Sequence, residues 1–399
     1  MSFNFPNSPA DGTTFAPAGG PTYVFSSGVW KLAGGGSSFV VSSDTAPASP
    51  FPGMLWFETD TGALFFWYVD ADSSQWVQIN FTPTSGLTAE TRNRLVNPAM
   101  QISTENGTTA GSTSGYYAAD NWYLITGVAG GGTHVGSLAM ANQAPSLGPV
   151  YRLVATVVTA DATVAAGDSW QIKQGVEGTR IADFNWGYSD ALPVVLRFSC
   201  RSTAAGTFSV SIRDNPITAS WVGQFTISAA EASNWVDRSF AIPAPPGLGT
   251  WTTDITNSFQ LVFALAAGPT ITGALGWQAG NFIGGPVQST FFNTVNNVFN
   301  LSNVGLHLDP LGTGVAPPFQ TPELEEERRN CQRYYWKNAI VVVDTAATYN
   351  TLFYPVYMCG APAITGGGAG FTVANAISAA CDIYQTTRAV QNLTFDSRL

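Results

Sequence analysis

Aromatic side chains next to small polar residues are the residues of this sequence best suited to chemistry. A flat ring packs against the apolar face of a sugar, and neighbouring polar groups bind its hydroxyls. Most tryptophans are well buried, so the better candidates for sugar contact are those that interrupt a strand pattern and are therefore less core-like. This condition is met by Trp186 and Tyr188, which lie close to Asp190, and by Trp251, which is followed by two threonines. Together with Trp221, these three aromatic residues are predicted to bind a glycan.

Residues for other kinds of catalysis do not form a recognisable arrangement. His134, in a glycine-rich loop, and His307, in an alternating strand, have no companion at metal-ligand spacing. A glycosidase needs two carboxylates as a pair, and the candidates by residue type are Asp120, Asp190, Asp214 and Glu231. The sequence pairs none of them, and their positions are typical of turns. We therefore expect no enzyme activity, no metal site and no cofactor.

The charge content argues against nucleic acid and lipid as partners. Only 11% of the 399 residues are charged, the net charge is −10, and there are three lysines. No basic patch is present to bind phosphates, so nucleic-acid binding is not expected. No apolar run is long enough for a membrane span. A chain with so few charges would be poorly soluble alone, which favours an oligomer.

Cysteines and the start of the chain indicate where the protein is made. Residues 1–6 contain neither a positive charge nor an apolar stretch, so no signal peptide is expected. The four cysteines, which have no metal-ligand spacing, are Cys200, Cys331, Cys359 and Cys381. We interpret them as buried thiols, and a bridge between Cys359 and Cys381 remains an alternative.

A loose repeat marks the first 80 residues. The pattern Pro-x-x-Gly-x-x-aromatic occurs from Pro9 to Phe15 and again from Pro50 to Trp56. Each copy continues into an aromatic-rich strand, a polar turn and a tryptophan-bearing strand. Because a two-stranded hairpin is marginally stable alone, these modules need each other, sister chains or a host particle. The residues expected to pack the hairpins and dock them are Phe15, Trp30, Trp56, Trp67 and Trp76.

The remaining sequence predicts a mostly β protein with one short helix. Many short strands alternate between apolar and polar residues, as in Phe208, Val210 and Ile212, and glycine, proline or asparagine separate them. Four parts are predicted. Residues 1–80 form two small N-terminal β-hairpin modules, and residues 81–95 form a connector with a short helix at 88–94. Residues 96–320 form a jelly-roll-like β-sandwich, and residues 321–399 form a helix at 321–338 followed by a small C-terminal β module.

Several segments resemble parts of phage tail fibre proteins. The segments that resemble their virion-anchoring parts are Asn4–Pro9, Pro52–Phe57 and Glu58–Phe65. The segments Asn97–Ser103 and Tyr117–Trp122 resemble the opening of a jelly-roll domain found in such fibres. The segments that resemble its closing part are Pro318–Leu324 and Asn330–Tyr335.

This resemblance implies a structural protein of a phage particle. It implies a homotrimeric tail fibre, assembled in the host cytoplasm, that attaches to other virion tail or baseplate proteins through residues 1–80. Residues 96–399 would then bind a host cell-surface polysaccharide. Two alternatives stay open: a purely structural head or collar fibre without receptor binding, and a polysaccharide depolymerase tailspike. The lack of repeating β-helix rungs argues against the tailspike.

Overall fold

A computed structural model describes residues 5–17, 22–33, 40–79, 88–128, 133–287, 291–343, 350–366, 371–385 and 389–399. The chain forms two compact units, Met1–Leu87 and Thr88–Leu399. Strands dominate both units, which confirms the prediction of a mostly β protein. None of the helices in the described segments has the length and apolar character needed to cross a bilayer.

The first unit contains two small sheets. Its strands are β1 (Thr14–Phe15), β2 (Tyr23–Ser26), β3 (Val29–Leu32), β4 (Val40–Ser43), β5 (Leu55–Glu58), β6 (Leu64–Val69) and β7 (Ser74–Gln78). Strands β1 to β3 form an antiparallel sheet. Strands β4 to β7 form the second sheet, in which β4 runs parallel to β5 and the other pairs are antiparallel. Both predicted hairpins, β2–β3 and β6–β7, are present.

The repeated Pro-x-x-Gly pattern forms the same turn in both sheets. Gly12 and Gly53 have φ values of 91° and 86°, a left-handed conformation that glycine adopts without steric cost. The N–H of Gly12 donates to the carbonyl of Phe25 at 2.8 Å, and the N–H of Gly53 donates to the carbonyl of Trp67 at 3.2 Å. The sequence repeat is therefore a structural repeat, in which one turn closes onto the following hairpin.

The aromatic residues predicted to pack these hairpins do contact one another. The rings of Phe15 and Trp30 lie 6.0 Å apart in the first sheet. In the second sheet, the ring of Trp76 lies 5.5 Å from that of Trp56 and 5.1 Å from that of Trp67. The packing role is confirmed, and a docking role for the same residues stays a prediction.

The second unit is built on a β-sandwich. Its strands are β8 (Tyr117–Ala119), β9 (Trp122–Gly127), β10 (Val135–Asn142), β11 (Tyr151–Thr159), β12 (Ser169–Glu177), β13 (Val194–Ser202), β14 (Gly206–Asp214), β15 (Ala219–Ile227), β16 (Val236–Ile242), β17 (Asn257–Ala267), β18 (Gly276–Ala279) and β19 (Val298–Leu308). One sheet has the order β10-β11-β19-β13-β16 and the other β18-β15-β14-β17-β12-β9-β8. The predicted sandwich is confirmed.

The two sheets enclose one aromatic-rich core. Phe208, Val210 and Ile212 of β14 belong to it, as their alternation predicts. The ring of Phe198, on the five-stranded sheet, lies 4.9 Å from that of Phe263 on the seven-stranded sheet. Burying a large apolar side chain of this kind contributes about 1.5–3 kcal/mol, so these facing rings join the sheets.

A second layer covers the outer face of the seven-stranded sheet over β14 and β17. Val262 and Ala264 of β17 point away from the main core and pack against Ile283. The N–H of Gly285 donates to the hydroxyl of Ser209 at 3.0 Å. The five-stranded sheet differs, because its edge strand β16 exposes alternate residues. The accessible outer face of the sandwich therefore lies on the five-stranded sheet.

The predicted helix at residues 88–94 is absent, and residues 88–95 belong to the sandwich. The N–H of Glu90 donates to the carbonyl of Leu308 at 2.8 Å, and the N–H of Arg94 donates to the carbonyl of Leu306 at 3.0 Å. The end of β19 thus takes the hydrogen bonds that a local helix would have needed. Residues 81–87 of the predicted connector lie outside the described residues.

The C-terminal part consists of one helix and two small sheets. These elements are α1 (Leu324–Gln332), β20 (Tyr335–Val343), β21 (Asn350–Phe353), β22 (Ala363–Gly366), β23 (Phe371–Ala374), β24 (Ala380–Gln385) and β25 (Ala389–Asp396). The sheet orders are β20-β25-β22 and β21-β24-β23. The helix is shorter than the predicted range 321–338. It begins after Glu323, not at a Thr321 cap, and Tyr335 instead pairs with β25.

Glu177 joins the sandwich to the C-terminal part. Its side chain is fully buried, and its carboxylate accepts two hydrogen bonds from the guanidinium of Arg333, at 2.6 and 2.9 Å. The hydroxyl of Tyr334 donates to the same carboxylate at 2.7 Å. Burial alone would raise the pKa of Glu177, but the hydrogen bonds outweigh it and the pKa lies below its usual value.

The four cysteines are buried, and none of them forms a disulfide. Cys331 and Cys359 lie with Val96 and Tyr334 in a small apolar cluster between the sandwich and the C-terminal part. The predicted buried thiols are therefore present, and the alternative bridge between Cys359 and Cys381 is not formed.

Replacing Glu177 by glutamine is expected to lower the free energy of unfolding by about 3 kcal/mol, because it leaves the Arg333 charge without its buried partner. Urea titration at pH 7 measures this loss, and hydrogen exchange of α1 shows whether the C-terminal part opens first. Glu325→Gln is the matched control, since Glu325 pairs with Arg328 on the surface and its loss costs under about 0.5 kcal/mol. Equal losses of stability in the two variants would contradict the role of Glu177 in joining the sandwich to the C-terminal part.

His307 is expected to make the fold sensitive to acid. Burial lowers the pKa of His307 to about 4 in the folded state, against about 6.5 in an unfolded chain. The unfolded state therefore binds a proton first, and stability falls as pH drops from 6.5 to 4. Between pH 7 and pH 4 the wild type should lose about 3 kcal/mol more than His307→Gln. Parallel losses, measured by urea titration at each pH, would show that His307 is not responsible.

Candidate functional site

Two of the four residues predicted to bind a glycan are buried. Trp186 is 2% exposed and Trp221 is 5% exposed, and both belong to the sandwich core. The indole N–H of Trp186 donates to the carbonyl of Leu192 at 2.9 Å. The ring of Trp221 lies 5.6 Å from that of Phe240. Neither tryptophan offers a ring face to a ligand, because other core side chains pack over both.

The other two predicted residues lie near the surface. Trp251 is half-buried and packs edge-on against Trp186 at 4.7 Å and against Trp277 at 5.6 Å. Tyr188 is 70% exposed. The structure therefore gathers three tryptophans into one packed cluster, and Tyr188 alone of the predicted residues presents an open ring.

A cleft of about 650 Å³ lies where the loop 148–150 meets β11, β13, β16 and β19 of the five-stranded sheet. This volume is in the range of small-molecule and sugar sites. The lining includes two aromatic side chains, Tyr151 and Trp235. It also includes four polar side chains, namely Gln101, Ser199, Asp237 and Asn303. The combination of aromatic rings with an amide, a hydroxyl and a carboxylate is the one expected of a glycan site, at a place that the sequence did not indicate.

Local backbone geometry places two of these side chains. Gly148 has a φ of 120°, and a Cβ at this position would lie 2.3 Å from Cδ1 of Trp235, so only glycine lets the indole lie against the loop. Strand β19 carries a bulge opposite Phe198, and Asn303 within it has a φ of 51°. Bulges commonly redirect a side chain next to a site, and here Asn303 lines the cleft.

The polar groups of the cleft are only partly satisfied within the protein. The hydroxyl of Ser199 donates to Asp237 at 2.6 Å. Among the described residues, however, Gln101 Oε1 and Trp235 Nε1 are buried and have no hydrogen-bond partner. A buried polar group without a partner costs about 1–3 kcal/mol. A ligand in the cleft can instead reach the carboxylate of Asp237, whose side chain is largely exposed.

Trp235 is the residue that the sequence analysis missed. It follows a turn and precedes β16, so the strand pattern beginning at Val236 did not include it. The available signal was the adjacent pair Asn234-Trp235, an aromatic residue beside a polar one at a strand end. Several other aromatic residues in the chain also lie beside a polar residue, and only their packing in the structure distinguishes Trp235 from them.

The carboxylates considered for catalysis serve as turn caps. Asp120 accepts from the N–H and hydroxyl of Thr104, and Asp214 accepts from the N–H and hydroxyl of Thr218. Glu231 accepts from Ser228 and Arg238, and these bonds lower its pKa to about 2. Asp190 accepts from Asn185. Three of the four, Asp120, Asp190 and Glu231, lie in turns as predicted, whereas Asp214 is the last residue of β14. None of these hydrogen bonds joins two of the four as a pair.

One histidine does have acidic neighbours in space. His134, Asp161 and Asp168 each bring one ligand-type atom within 4.8 Å of the others. These carboxylates are not close to His134 in the sequence, because they lie 27 and 34 positions away from it. The fold brings together the start of β10, the end of β11 and the start of β12.

No known protein family matches this sequence, and no curated protein matches it. Among solved structures, the enzymatically active domain of bacteriophage CBA120 tailspike protein 4 is similar, with 15% identity and a TM-score of 0.30, over 54% of this chain and 21% of that chain. The present chain thus covers about a fifth of the length of that tailspike chain.

Carbohydrate-binding modules are similar at the same level. TmCBM61, solved with β-1,4-galactotriose, aligns with 8% identity and a TM-score of 0.28, over 55% of this chain and 99% of that chain. The family 11 module of cellulase Lic26A-Cel5E from Clostridium thermocellum aligns with 12% identity and a TM-score of 0.26, over 51% and 96%. All three scores are below 0.5, and we draw no functional conclusion from them.

Proposed function

We propose that this chain is a structural protein of a phage particle, a tail fibre that binds a host-surface glycan in the cleft of its second unit without hydrolysing it. The observation that carries the proposal is the cleft itself, where Trp235 and Tyr151 lie with Gln101, Asp237 and Asn303 around one volume of about 650 Å³. Aromatic rings give affinity for sugar faces, and fixed polar groups give specificity for hydroxyls.

The side chains that line the cleft suit glycan binding better than catalysis. Asp237, a carboxylate that lines the cleft, is 72% exposed at its side chain and is paired with Ser199. Glycoside hydrolysis ordinarily needs two carboxylates that flank the scissile bond. Among the described residues that line the cleft, Asp237 is the only carboxylate, so we propose a binding site and not a depolymerase.

The first unit supports an attachment role in the same proposal. Among the described residues of this unit, eight large apolar side chains are exposed, namely Val29, Val40, Phe51, Phe57, Tyr68, Val69, Val77 and Ile79. Two sheets of three and four strands have little core to offset such exposure. Contact with other virion tail or baseplate proteins, and with sister chains in a homotrimer, would bury these residues.

Oligomeric state is tested on the full chain by light scattering coupled to size exclusion. We expect a mass of about three times 42.1 kDa, since the exposed apolar residues of the first unit would be buried between chains. A strict monomer at micromolar concentration would contradict the homotrimer, while leaving the glycan proposal to be tested separately.

Glycan binding is tested by incubating the fluorescent full chain with an array of bacterial surface polysaccharides, and with bacterial cells before and after their polysaccharide is stripped. We expect binding to be lost on stripping. Trp235→Ala should weaken it at least about tenfold, because the aromatic surface for stacking against a sugar is removed. No reducing ends should be released, and their release would favour the depolymerase.

Tyr188→Ala is the matched control, since it removes an exposed aromatic ring outside the cleft. Thermal melts establish that both variants are folded. Binding that depends on Tyr188 and not on Trp235 would overturn the cleft assignment. A folded chain that binds no cell or polysaccharide would favour a purely structural head or collar fibre.

A further inference from the structure

A buried histidine faces two carboxylates at one end of the sandwich. The side chain of His134 is 1% exposed, and its Nδ1 lies 4.0 Å from Oδ2 of Asp161. A carboxylate oxygen of Asp168, which is fully buried, completes a group whose atoms lie within 4.8 Å of one another. His134 and Asp161 flank β10 and β11 of the five-stranded sheet, while Asp168 precedes β12 of the seven-stranded sheet.

The imidazole presents a lone pair to this group. Its Nε2 lies 3.4 Å from the carbonyl oxygen of Ser169, and because a carbonyl only accepts, Nε2 carries the hydrogen. In the neutral ring, Nδ1 is then the unprotonated nitrogen. Nδ1 is buried and has no hydrogen-bond partner among the described residues. The Nδ1 lone pair therefore faces two carboxylates in a buried position, an arrangement that a bound cation would stabilise.

The surrounding groups hold these side chains in place. Oδ2 of Asp161 accepts the N–H of Thr133 at 2.8 Å, and Oδ1 accepts the N–H of Thr163 at 3.0 Å. Oδ2 of Asp168 accepts the N–H of Ala165 at 3.1 Å. The ring of Phe292 packs edge-on against His134 at 5.0 Å. Hydrogen bonds of this kind orient metal ligands and fix the histidine tautomer in known sites.

We propose that His134, Asp161 and Asp168 bind one divalent transition-metal ion of the Zn²⁺ class. The 4.0 Å gap between Nδ1 and Oδ2 is too long for a hydrogen bond and admits an ion after a small inward movement. One imidazole nitrogen with two carboxylate oxygens suits Zn²⁺, whereas Ca²⁺ and Mg²⁺ take oxygen ligands. Three protein ligands leave a fourth position for water.

The ion would connect the two sheets. Strands β11 and β12 lie in different sheets, and the loop between them carries both carboxylates. A metal bound by this loop and by the residue before β10 would fix the end of the sandwich. Because the folded protein would bind the ion and an unfolded chain would lack the site, zinc should raise the melting temperature.

The test uses untagged full chain, stripped with a chelator and then titrated with Zn²⁺ and, separately, with Co²⁺. We expect one Zn²⁺ per chain by elemental analysis, a visible absorption band for bound Co²⁺, and a rise in melting temperature of at least about 3 °C with Zn²⁺. Asp161→Asn should abolish all three, and so should His134→Gln. Asp161→Asn keeps the oxygen that accepts from Thr163, so it retains part of the local structure.

His307→Gln is the matched control, because it removes the only other histidine of the chain and should keep the full response to both metals. The proposal is overturned if the wild type binds less than about one-fifth of an equivalent of either metal, or if Asp161→Asn and His134→Gln, shown to be folded by circular dichroism, still bind a full equivalent.

Discussion

The buried carboxylate of Glu177 is the interaction on which the arrangement of the second unit depends. It is the last residue of the interior strand β12, and it holds the guanidinium of Arg333 and the hydroxyl of Tyr334 within 3 Å. A charged group is stable in such a position only when it is paired and hydrogen-bonded. The pairing therefore specifies where α1 ends and where β20 begins, and it places the C-terminal sheets against the sandwich.

A second polar contact joins the ends of the sandwich sequence. The N–H of Asn97 donates to Glu327 of α1 at 2.6 Å, and the carbonyl of Asn97 accepts from the indole of Trp122 at 3.0 Å. Asn97 has a φ of 51°, a conformation that asparagine tolerates better than most residues. The opening segment around Asn97 and the closing segment that contains Glu327 are thus direct neighbours, although 230 positions separate them.

Layering of the sandwich determines which surface is available for binding. Because a second layer covers part of the seven-stranded sheet, the outer face of the five-stranded sheet remains for a ligand. Its cleft depends on two irregularities, the bulge that contains Asn303 and the close approach of Gly148 to Trp235. The site therefore arises where regular strand geometry is interrupted, as binding sites on rigid scaffolds often do.

Local pattern alone determined the mostly β class, the two N-terminal hairpins and the inward face of β14, because strand alternation and glycine turns act over a few residues. Burial of individual tryptophans was decided by the tertiary structure. Trp186 and Trp221 lie between packed layers, whereas Trp235 lines the cleft, and no local signal separates these cases. The partners of His134 likewise depend on sheet order, since side chains from distant turns meet only when the two sheets pack.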